Sequence, residues 1–381
     1  MNPVPLSQIG KIVTGKTPKT SHEDFFGGEI PFVTPSDMDT RRIISQTART
    51  LSEDGVASVK NSVVPAGAVM VSCIGSDMGK TYLAGKRSVT NQQINTVIVD
   101  ERKFSPLFIY YNLFGRRKEL REKAAGAAQP ILNKTEFGKI IVDVPNLAEQ
   151  REIASTLGAL DDKIELNRRM AATLEEMARA LYRSWFVDFD PVKAKAEGLA
   201  PAFMDEATAA LFPDRFGDDG LPEGWRMGCV TDVFDVVMGQ SPPGNTYNDR
   251  GEGLPFYQGR TDFGFRFPSQ RVFCSAPTRI APRDSVLLSV RAPVGDLNRA
   301  WEECCIGRGV ASLSEKEGRN AYGYEALWAL SEDLKAYDSE GTVFGAINKN
   351  QLTGLPLIIP PNSMRAAFEE RVRPMDDRIR N

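Results

Sequence analysis

The sequence predicts a mixed α/β protein in which two similar modules, related by a pseudo-twofold axis, are connected by a long helix. The first observation behind this prediction is an internal repeat, because a set of short segments recurs about 215 to 224 residues further along the chain. The second is a heptad pattern of apolar residues that begins where the first copy ends. Two copies in one chain indicate internal pseudosymmetry, and a sustained heptad indicates a coiled coil.

The repeat consists of matching loop, strand and helix segments. In the first copy these are Gly15–Pro18, Ile30–Phe32, Pro65–Ser72, Asn133–Lys134, Val142–Pro145 and Leu160–Ile164. The corresponding segments of the second copy are Gly239–Pro242, Leu254–Phe256, Pro282–Ser289, Asn348–Lys349, Leu357–Pro360 and Met375–Ile379. Because the segments keep their order, each module is expected to fold in the same way.

Each module is predicted to begin with a Gly/Pro/Thr-rich loop, at 14–31 or 238–255, followed by short strands, a helix and a last strand. The predicted strands are Val69–Cys73, Thr96–Val99, Ile140–Val144, Val286–Val290, Val310–Leu313 and Leu355–Ile359. The predicted helices are Pro106–Lys123 and Tyr322–Tyr337. The stretch from Asp188 to Trp225 is rich in Pro, Asp and Gly and is predicted to be a partly helical connector.

The long helix is predicted from Ala148 to Phe186, about 58 Å at the standard rise per residue. Its seam consists of Ile153, Leu157, Leu160, Ile164, Asn167, Ala171, Leu174, Ala178, Leu181 and Trp185. Asn167 fills the one polar position, and a buried Asn in a seam is a known device for fixing register. A second, shorter seam consists of Phe368, Val372, Met375 and Ile379. The alternative is an amphipathic helix that packs on its own domain.

Charge is distributed unevenly, although the formal net charge is only −3. Residues 1–145 carry 19 Lys and Arg against 14 Asp and Glu, residues 146–220 carry 9 against 15, and residues 221–381 carry 19 against 21. In the last segment 16 of the 19 cations are Arg, whose planar fork suits bidentate contacts with guanine or phosphate. A GC-rich genome would produce the same bias. No apolar run has the length of a membrane span, and the N-terminus lacks a signal-like pattern, so a cytoplasmic location is expected.

The search for catalytic groups is largely negative. Gly75–Thr81 resembles a phosphate-binding loop, but three residues instead of four separate its glycines and no helical pattern follows. The only histidine, His22, lies in a polar loop, and the five cysteines show no metal-ligand spacing. Two acidic pairs are expected to lie on solvated helix faces, namely Asp161 with Asp162 and Asp376 with Asp377. The sequence therefore favours a binding protein, with catalysis performed elsewhere.

Three central stretches carry a resemblance to a known family. They are Leu147–Ala154, Leu160–Asn167 and Leu181–Val192, and Leu221–Trp225 is similar to that family's entry into its second recognition domain. On these residues the chain resembles the DNA-specificity subunits of Type I restriction-modification systems. The resemblance covers essentially the whole chain, and the central segment is long enough to be highly specific.

The resemblance implies that each module is a target-recognition domain that reads one half of a split DNA site. Residues 1–146 would form target-recognition domain 1, 147–187 the central conserved coiled-coil helix, 188–220 a connector, 221–361 target-recognition domain 2, and 362–381 the start of the distal conserved helix. The two long helices would pack antiparallel, set the half-site spacing and dock two methyltransferase subunits. No cofactor or metal is expected in this chain, whereas the methyltransferase and restriction/translocase subunits would use S-adenosylmethionine, ATP and Mg²⁺.

Candidate DNA contacts are polar and cationic residues on the predicted loops, because such side chains contact base edges and phosphates. In the first module they are Lys16, Lys19, Thr20, Ser36, Lys80, Gln92 and Gln93. In the second module they are Gln240, Asn245, Gln258, Arg260, Arg291 and Arg308. For each of them the alternative is a solvated loop residue or a structural cap.

The second seam stops at Asn381, whereas the family's distal helix usually continues as far as the central one. In an antiparallel pairing it would cover only the Trp185 end of the first helix and leave Ile153–Ile164 without a partner. We therefore expect that another chain covers this region or that the protein is a truncated form. Two other functions stay open: a specificity subunit of a modification-only methyltransferase system, and a helical scaffold that binds protein.

Overall fold

The computed structural model describes residues 2–38, 41–123, 131–339 and 345–380. The chain divides into two compact units, Met1–Arg168 and Arg169–Asn381. Residues of one long helix, Leu147–Phe186, belong to both units. Among the described helices, none combines the length and the apolar character needed to cross a bilayer.

The first unit contains short strands that form two main sheets. They are β1 (Asn2–Pro5), β2 (Gly10–Thr14), β3 (Phe26–Val33), β4 (Ile43–Ile44), β5 (Thr50–Leu51), β6 (Val63–Val64), β7 (Val69–Ser72), β8 (Thr81–Ala84), β9 (Ser88–Thr90), β10 (Ile94–Val99) and β11 (Ile141–Val144). One sheet has the order β2-β10-β7-β8-β4, the other has the order β5-β3-β9-β6, and β1 pairs with β11. The predicted first-module strands are confirmed to within two residues.

The helices of the first unit are α1 (Leu6–Ile9), α2 (Glu53–Ser58), α3 (Pro106–Phe114), α4 (Arg117–Lys123), α5 (Lys134–Gly138) and α6 (Leu147–Phe186). The prediction of one continuous helix from Pro106 to Lys123 is wrong, because α3 ends at Phe114 and α4 begins at Arg117. The start of α3 has a regular cap, in which the Ser105 hydroxyl accepts a hydrogen bond from the backbone N–H of Phe108.

The second unit adds strands β12 (Arg226–Cys229), β13 (Phe234–Met238), β14 (Tyr247–Asn248), β15 (Leu254–Tyr257), β16 (Phe273–Cys274), β17 (Ile280–Ala281), β18 (Val286–Ser289), β19 (Leu297–Arg299), β20 (Cys304–Ile306), β21 (Val310–Glu315) and β22 (Pro356–Ile359). Its further helices are α7 (Asp190–Ala196), α8 (Glu206–Ala210), α9 (Val230–Val233), α10 (Asn320–Ala329), α11 (Ser331–Ser339), α12 (Lys349–Thr353) and α13 (Asn362–Arg380). The predicted helix Tyr322–Tyr337 is likewise two helices, which meet at Leu330. The connector is partly helical, as predicted.

The two units share the same strand topology apart from one additional edge strand in each, β4 in the first and β14 in the second. The order β2-β10-β7-β8 in the first matches β13-β21-β18-β19 in the second, and β5-β3-β9-β6 matches β16-β15-β20-β17. The pair β1-β11 matches β12-β22, and β3 with β9 is parallel in the same way as β15 with β20. The internal repeat that the sequence predicts is therefore confirmed at the level of strand pairing.

In the second unit, α13 packs antiparallel to the last part of α6. The Phe368 ring lies 5.7 Å from that of Tyr182 and 5.9 Å from that of Trp185. Further along α13, Asp376 shares an arginine partner with Glu175, which lies earlier on α6. Residue numbers therefore increase along α13 in the direction in which they decrease along α6. This confirms the predicted antiparallel pairing within this unit.

Within the part of the chain that the structure describes, the apolar side chains of the earlier part of α6 are covered only at its beginning. Ala154 is buried and Ile153 packs against the core of the first unit. By contrast, Leu160 is 55% exposed and Ile164 is 49% exposed. Asn167 is exposed as well, so its role as a buried polar seam residue stays a prediction that requires another helix.

Candidate nucleic-acid interface

One edge of the first unit gathers loops that carry several of the predicted contact residues. Strands β2 and β7 end at this edge and β8 and β10 begin there, because neighbouring strands in the order β2-β10-β7-β8 are antiparallel. The backbone N–H of Lys16 donates to the carbonyl of Thr90 at 2.9 Å, and that of Cys73 donates to the carbonyl of Gln93 at 2.8 Å. This edge, the first loop edge, holds Lys16, Lys80, Gln92 and Gln93.

Strand β3 also ends at the first loop edge, because the N–H of Asn91 donates to the carbonyl of Val33 at 2.9 Å. Ser36 follows in the 3-10 helix Pro35–Asp37, and its hydroxyl lies 2.7 Å from that of Thr34. The parallel pairing of β3 with β9 thus brings a second sheet to the same place.

The side chains at the first loop edge differ in how far they are already engaged. Lys80 forms a 2.8 Å ion pair with Asp77, the amide oxygen of Gln92 accepts from Thr17 at 2.7 Å, and that of Gln93 accepts from Asn91 at 2.9 Å. For these residues the structural alternative has direct support. The candidates that are exposed in the adjoining loop are Lys16, Lys19 and Thr20.

The second unit has an equivalent edge, the second loop edge. The N–H of Gln240 donates to the carbonyl of Ile306 at 3.0 Å, and the N–H of Gly307 donates to the carbonyl of Tyr257 at 2.8 Å. The N–H of Val290 donates to the carbonyl of Gly309 at 3.0 Å. These bonds bring together four of the predicted residues, Gln240, Gln258, Arg291 and Arg308.

A glycine at the same place in each unit permits this close approach of loops. A Cβ atom on Gly15 would lie 2.0 Å from the carbonyl oxygen of Asn91, and one on Gly239 would lie 2.2 Å from the carbonyl oxygen of Gly307. Both contacts are with backbone, so no larger residue fits without moving the loop. The repeated glycines are thus explained by loop packing.

The arginines at the second loop edge differ in whether a carboxylate neutralises their charge. Arg260 forms an ion pair with Asp296, so part of its charge is neutralised. Arg291 and Arg308 are exposed and form no ion pair within the part of the chain that the structure describes. Asn245 lies exposed in the 3-10 helix Gly244–Thr246. Uncompensated guanidinium groups on a loop can contact phosphate or the acceptor edge of guanine.

The described residues offer little for catalysis or metal binding. No group of three or more His, Cys, Asp and Glu side chains in the described ranges is arranged to hold a metal ion. His22 stacks on Phe25 with ring centroids 4.8 Å apart, and its Nδ1 lies 4.0 Å from Asp24. The segment that resembles a phosphate loop forms a 3-10 turn, Gly75–Asp77, and then β8. It therefore lacks the helix that a phosphate-binding loop requires.

Comparison with known proteins identifies the family. A family model for the Type I restriction modification DNA specificity domain matches residues 1–176 and 222–364. The chain belongs to this family. It is similar to the Type I restriction enzyme HindI specificity subunit of Haemophilus influenzae, with 36% identity over 78% of this chain and 76% of that protein. It is also similar to the MjaIX specificity subunit of Methanocaldococcus jannaschii, with 26% identity over 66% of this chain and 55% of that protein.

A solved structure supports the fold of this specificity subunit. The crystal structure of the Type I restriction-modification S subunit from M. genitalium is similar, with a TM-score of 0.63 over 99% of this chain and 90% of that chain. The sequence identity is 14%, so this likeness bears on the fold alone. The protein is a Type I specificity subunit with a mixed α/β fold, two domains for target recognition and a long helix.

Sequence reasoning missed two arginines of this specificity subunit, Arg42 and Arg266. They lie 224 residues apart, the same interval that separates Gly15 from Gly239, so the repeat could have pointed to them. Each binds an aspartate from the acidic pair of the helix that follows its module. We call Arg42 and Arg266 the anchor arginines.

Arg42 binds residues of α3 and α6 in the first unit. Its Nη2 lies 2.6 Å from Oδ1 of Asp162, and its Nη1 donates to the Tyr111 hydroxyl at 3.0 Å and to the carbonyl of Gly158 at 3.2 Å. The Tyr111 hydroxyl in turn donates to Asp161 at 2.8 Å. Burial lowers the pKa of Arg42, but these hydrogen bonds raise it by more, so the guanidinium stays charged.

Arg266 binds a larger and fully buried set of charges in the second unit. Its Nη2 donates to Asp376, and its Nη1 lies 3.3 Å from Oε1 of Glu175 and 3.5 Å from Oε1 of Glu325. Its guanidinium carbon lies 4.0 Å above the centre of the Tyr324 ring. The prediction that Asp376 lies on a solvated face is wrong, because its side chain is 3% exposed. The sequence hides this burial, since an acidic pair on a helix normally indicates solvent.

Proposed function

We propose that this specificity subunit reads a bipartite DNA site, with each loop edge contacting one half and the long helix setting the unread gap. The observation that carries the proposal is the repetition of one edge, with the same glycine contact and exposed polar side chains, in both units. Successive major-groove faces recur about every 34 to 36 Å, so a helix of fixed length can hold two readers at a fixed interval. Phosphate contacts would position each edge and base contacts would specify the half-site.

The proposal includes partner subunits that perform the chemistry. Two methyltransferase subunits would dock on the long helices, and the exposed apolar residues Leu157, Leu160 and Ile164 support such a docking surface. Restriction/translocase subunits would join the complex. S-adenosylmethionine, ATP and Mg²⁺ would be bound by these partners, and this chain would contribute recognition without catalysis. The complex would act in the cytoplasm.

The test is to map methylated bases across the genome of a host without other modification, in which this chain is expressed with its methyltransferase subunit. The expected result is a motif of two short defined halves around a fixed gap. Arg291→Ala should make one half degenerate and leave the other defined. The matched control is Arg250→Ala, since Arg250 is an exposed arginine of the same unit that is already paired with Glu252 at 3.0 Å.

Two results would contradict the proposal. Methylation at a single undivided motif would contradict two separate readers. Binding that is indifferent to DNA and to salt would favour a protein-binding scaffold, because phosphate contacts make affinity fall steeply as salt rises. Methylation without a nuclease gene beside this one would identify a modification-only system and leave the reading role intact.

A further inference from the structure

The anchor arginines occupy the same backbone position in the two units. The carbonyl of Arg42 accepts a hydrogen bond from the N–H of Leu83 in β8 at 3.0 Å. The carbonyl of Arg266 accepts one from the N–H of Arg299 in β19 at 2.8 Å. Since β8 and β19 occupy matching places in the two sheets, the two arginines are structural equivalents and not a coincidence of sequence spacing.

Each anchor arginine follows a candidate contact residue at a constant interval. Arg42 comes six residues after Ser36, and Arg266 comes six residues after Arg260. Both earlier residues lie in 3-10 helices, Pro35–Asp37 and Arg260–Asp262, that follow the parallel strands β3 and β15. In each unit, therefore, a candidate contact residue at the loop edge and an anchor arginine are separated by the same short interval in sequence.

The carboxylates that hold these segments lie in matching segments of the repeat, Leu160–Ile164 and Met375–Ile379, but not at identical positions. Arg266 binds Asp376 directly, whereas the equivalent residue Asp161 lies 3.7 Å from Arg42 and accepts from Tyr111, and the direct partner of Arg42 is the next residue, Asp162. The planar guanidinium fork can bind two acceptors at once, which a lysine cannot do with the same geometry. In the first unit the fork spans Asp162 and Tyr111, and in the second it spans Asp376 and Glu175.

A direct DNA contact by these arginines fits the geometry poorly. The Arg42 side chain is 15% exposed and that of Arg266 is 1% exposed, and the Nη atoms of both are engaged with the protein. Freeing either one would leave carboxylates or a tyrosine hydroxyl without their partner. Their effect on recognition would have to pass through the segment that they hold.

We propose that Arg42 and Arg266 are positioning residues, each of which fixes the segment carrying candidate DNA contacts to a carboxylate of the helix that follows its module, Asp162 of α6 or Asp376 of α13. Half-site recognition then depends on helix carboxylates that do not touch DNA. The inference rests on the proposed function in that it takes these segments to be part of the DNA-reading surface. It goes further by naming the ion pairs and hydrogen bonds through which the position of the helix determines the position of the DNA-reading loops.

The first test measures hydrogen–deuterium exchange in the free full-length chain. Arg42→Gln should speed backbone exchange in residues 34–38 and 41–48 by about tenfold, the change expected when a charged hydrogen bond is lost. Asp162→Asn, at a side chain that is 71% exposed, should do the same without threatening the fold. Arg87→Gln is the control, since Arg87 pairs at 2.9 Å with Glu53 of α2, in the same unit, instead of with a carboxylate of α6.

The second test uses DNA. With the methyltransferase complex and an oligonucleotide that carries the mapped motif, Arg42→Gln and Asp162→Asn should each weaken specific binding about tenfold. Binding to random-sequence DNA should be unchanged, because neither residue contacts phosphate. The loss should fall on the half-site that Arg291→Ala leaves intact. The Arg42→Gln, Asp162→Asn double variant should be no worse than either single variant, because both remove one interaction.

The outcomes distinguish a failure of the proposed function from a failure of the positioning role. If the wild-type complex yields no bipartite motif, the proposed function fails and the positioning role fails with it, whatever the exchange rates show. If the motif appears but Arg42→Gln and Asp162→Asn match Arg87→Gln in exchange and in specific binding, only the positioning role is overturned. A loss confined to Arg42→Gln, with random DNA equally affected, would identify a phosphate contact in place of a positioning residue.

Discussion

The two anchor arginines make the same connection in very different surroundings. In the first unit Arg42 meets Asp162 at the surface, where the carboxylate is mostly hydrated. In the second unit Arg266, Asp376, Glu175 and Glu325 are all buried. The difference shows that the same link can be built with an exposed or with a buried carboxylate, and that the buried carboxylates need further cationic partners.

The composition of the buried network follows from charge balance. Arg299 also donates to Asp376, and Arg179 lies 2.7 Å from Glu175, so these two carboxylates each have two cationic partners. Glu325 is less well compensated, and burial raises its pKa to about 7 although the nearby Arg266 lowers it. The ion pair of Arg42 with Asp162 needs no such additional cationic partners, because water hydrates the exposed Asp162 carboxylate.

The largest expected effect follows from replacing the buried anchor arginine, Arg266. Arg266→Met removes a partner from three buried carboxylates, and we expect a loss of about 3 to 5 kcal/mol in the free energy of unfolding. The measurement is urea denaturation followed by tryptophan fluorescence, which reports on the buried Trp185 of the second unit. Arg250→Met is the control, because its ion pair with Glu252 is exposed and should leave stability unchanged. Equal losses in both variants would show that the buried network does not hold the unit together.

The second prediction concerns pH. Because Glu325 has a pKa of about 7 in the folded chain against 4.5 as its ordinary value, the folded state binds its proton more tightly than the unfolded state. The associated stabilisation is complete below pH 4.5 and disappears as pH rises to about 7 and beyond. Glu325→Gln cannot ionise, so its stability relative to wild type should increase by about 3 kcal/mol between pH 4.5 and pH 8.

The measurement is the difference between the thermal denaturation midpoints of the wild type and of Glu325→Gln at several pH values. Taking the difference cancels the titration of other groups. The matched control is Glu317→Gln, an exposed carboxylate whose pKa is lowered by its hydrogen bond with Arg319. A difference that stays constant from pH 4.5 to pH 8 would mean that Glu325 is ionised throughout. The second unit would then hold an unbalanced buried charge.

The sequence predicted the backbone organisation better than the chemistry of the anchors. The repeat and the heptad predicted two like units and the long helix, because periodicity survives in a single sequence. The breaks at Gly115 and Leu330 were missed, since short gaps between helices leave the apolar pattern continuous. Asp376 was assigned to solvent because its burial depends on Arg266, which lies 110 residues earlier and is brought to it only by the fold.

The third prediction concerns Arg42, the anchor arginine whose carboxylate partner is exposed. Arg42→Gln removes the ion pair with Asp162 and one hydrogen bond to Tyr111, but water can hydrate the carboxylate that remains. We expect a loss of about 1 kcal/mol in the free energy of unfolding, well below that of Arg266→Met. Thermal denaturation at low and high salt checks it, because screening should reduce the loss in the solvated unit. A loss as large as that of Arg266→Met would remove the contrast between the two anchors.

The smallest expected effect follows from removing the Tyr111 hydroxyl, which links Arg42 to Asp161. Tyr111→Phe removes the 2.8 Å hydrogen bond to Asp161 while the Arg42 contact with Asp162 stays, so we expect a loss of about 0.5 to 1 kcal/mol. Burial raises the pKa of Tyr111 to about 12, so the hydroxyl remains a donor over the whole range of a stability experiment. A double-mutant cycle with Arg42→Gln should show coupling, whereas one with Arg87→Gln should be additive. Coupling would mean that both aspartates of the first unit act through one arginine, as Glu175 and Asp376 do in the second.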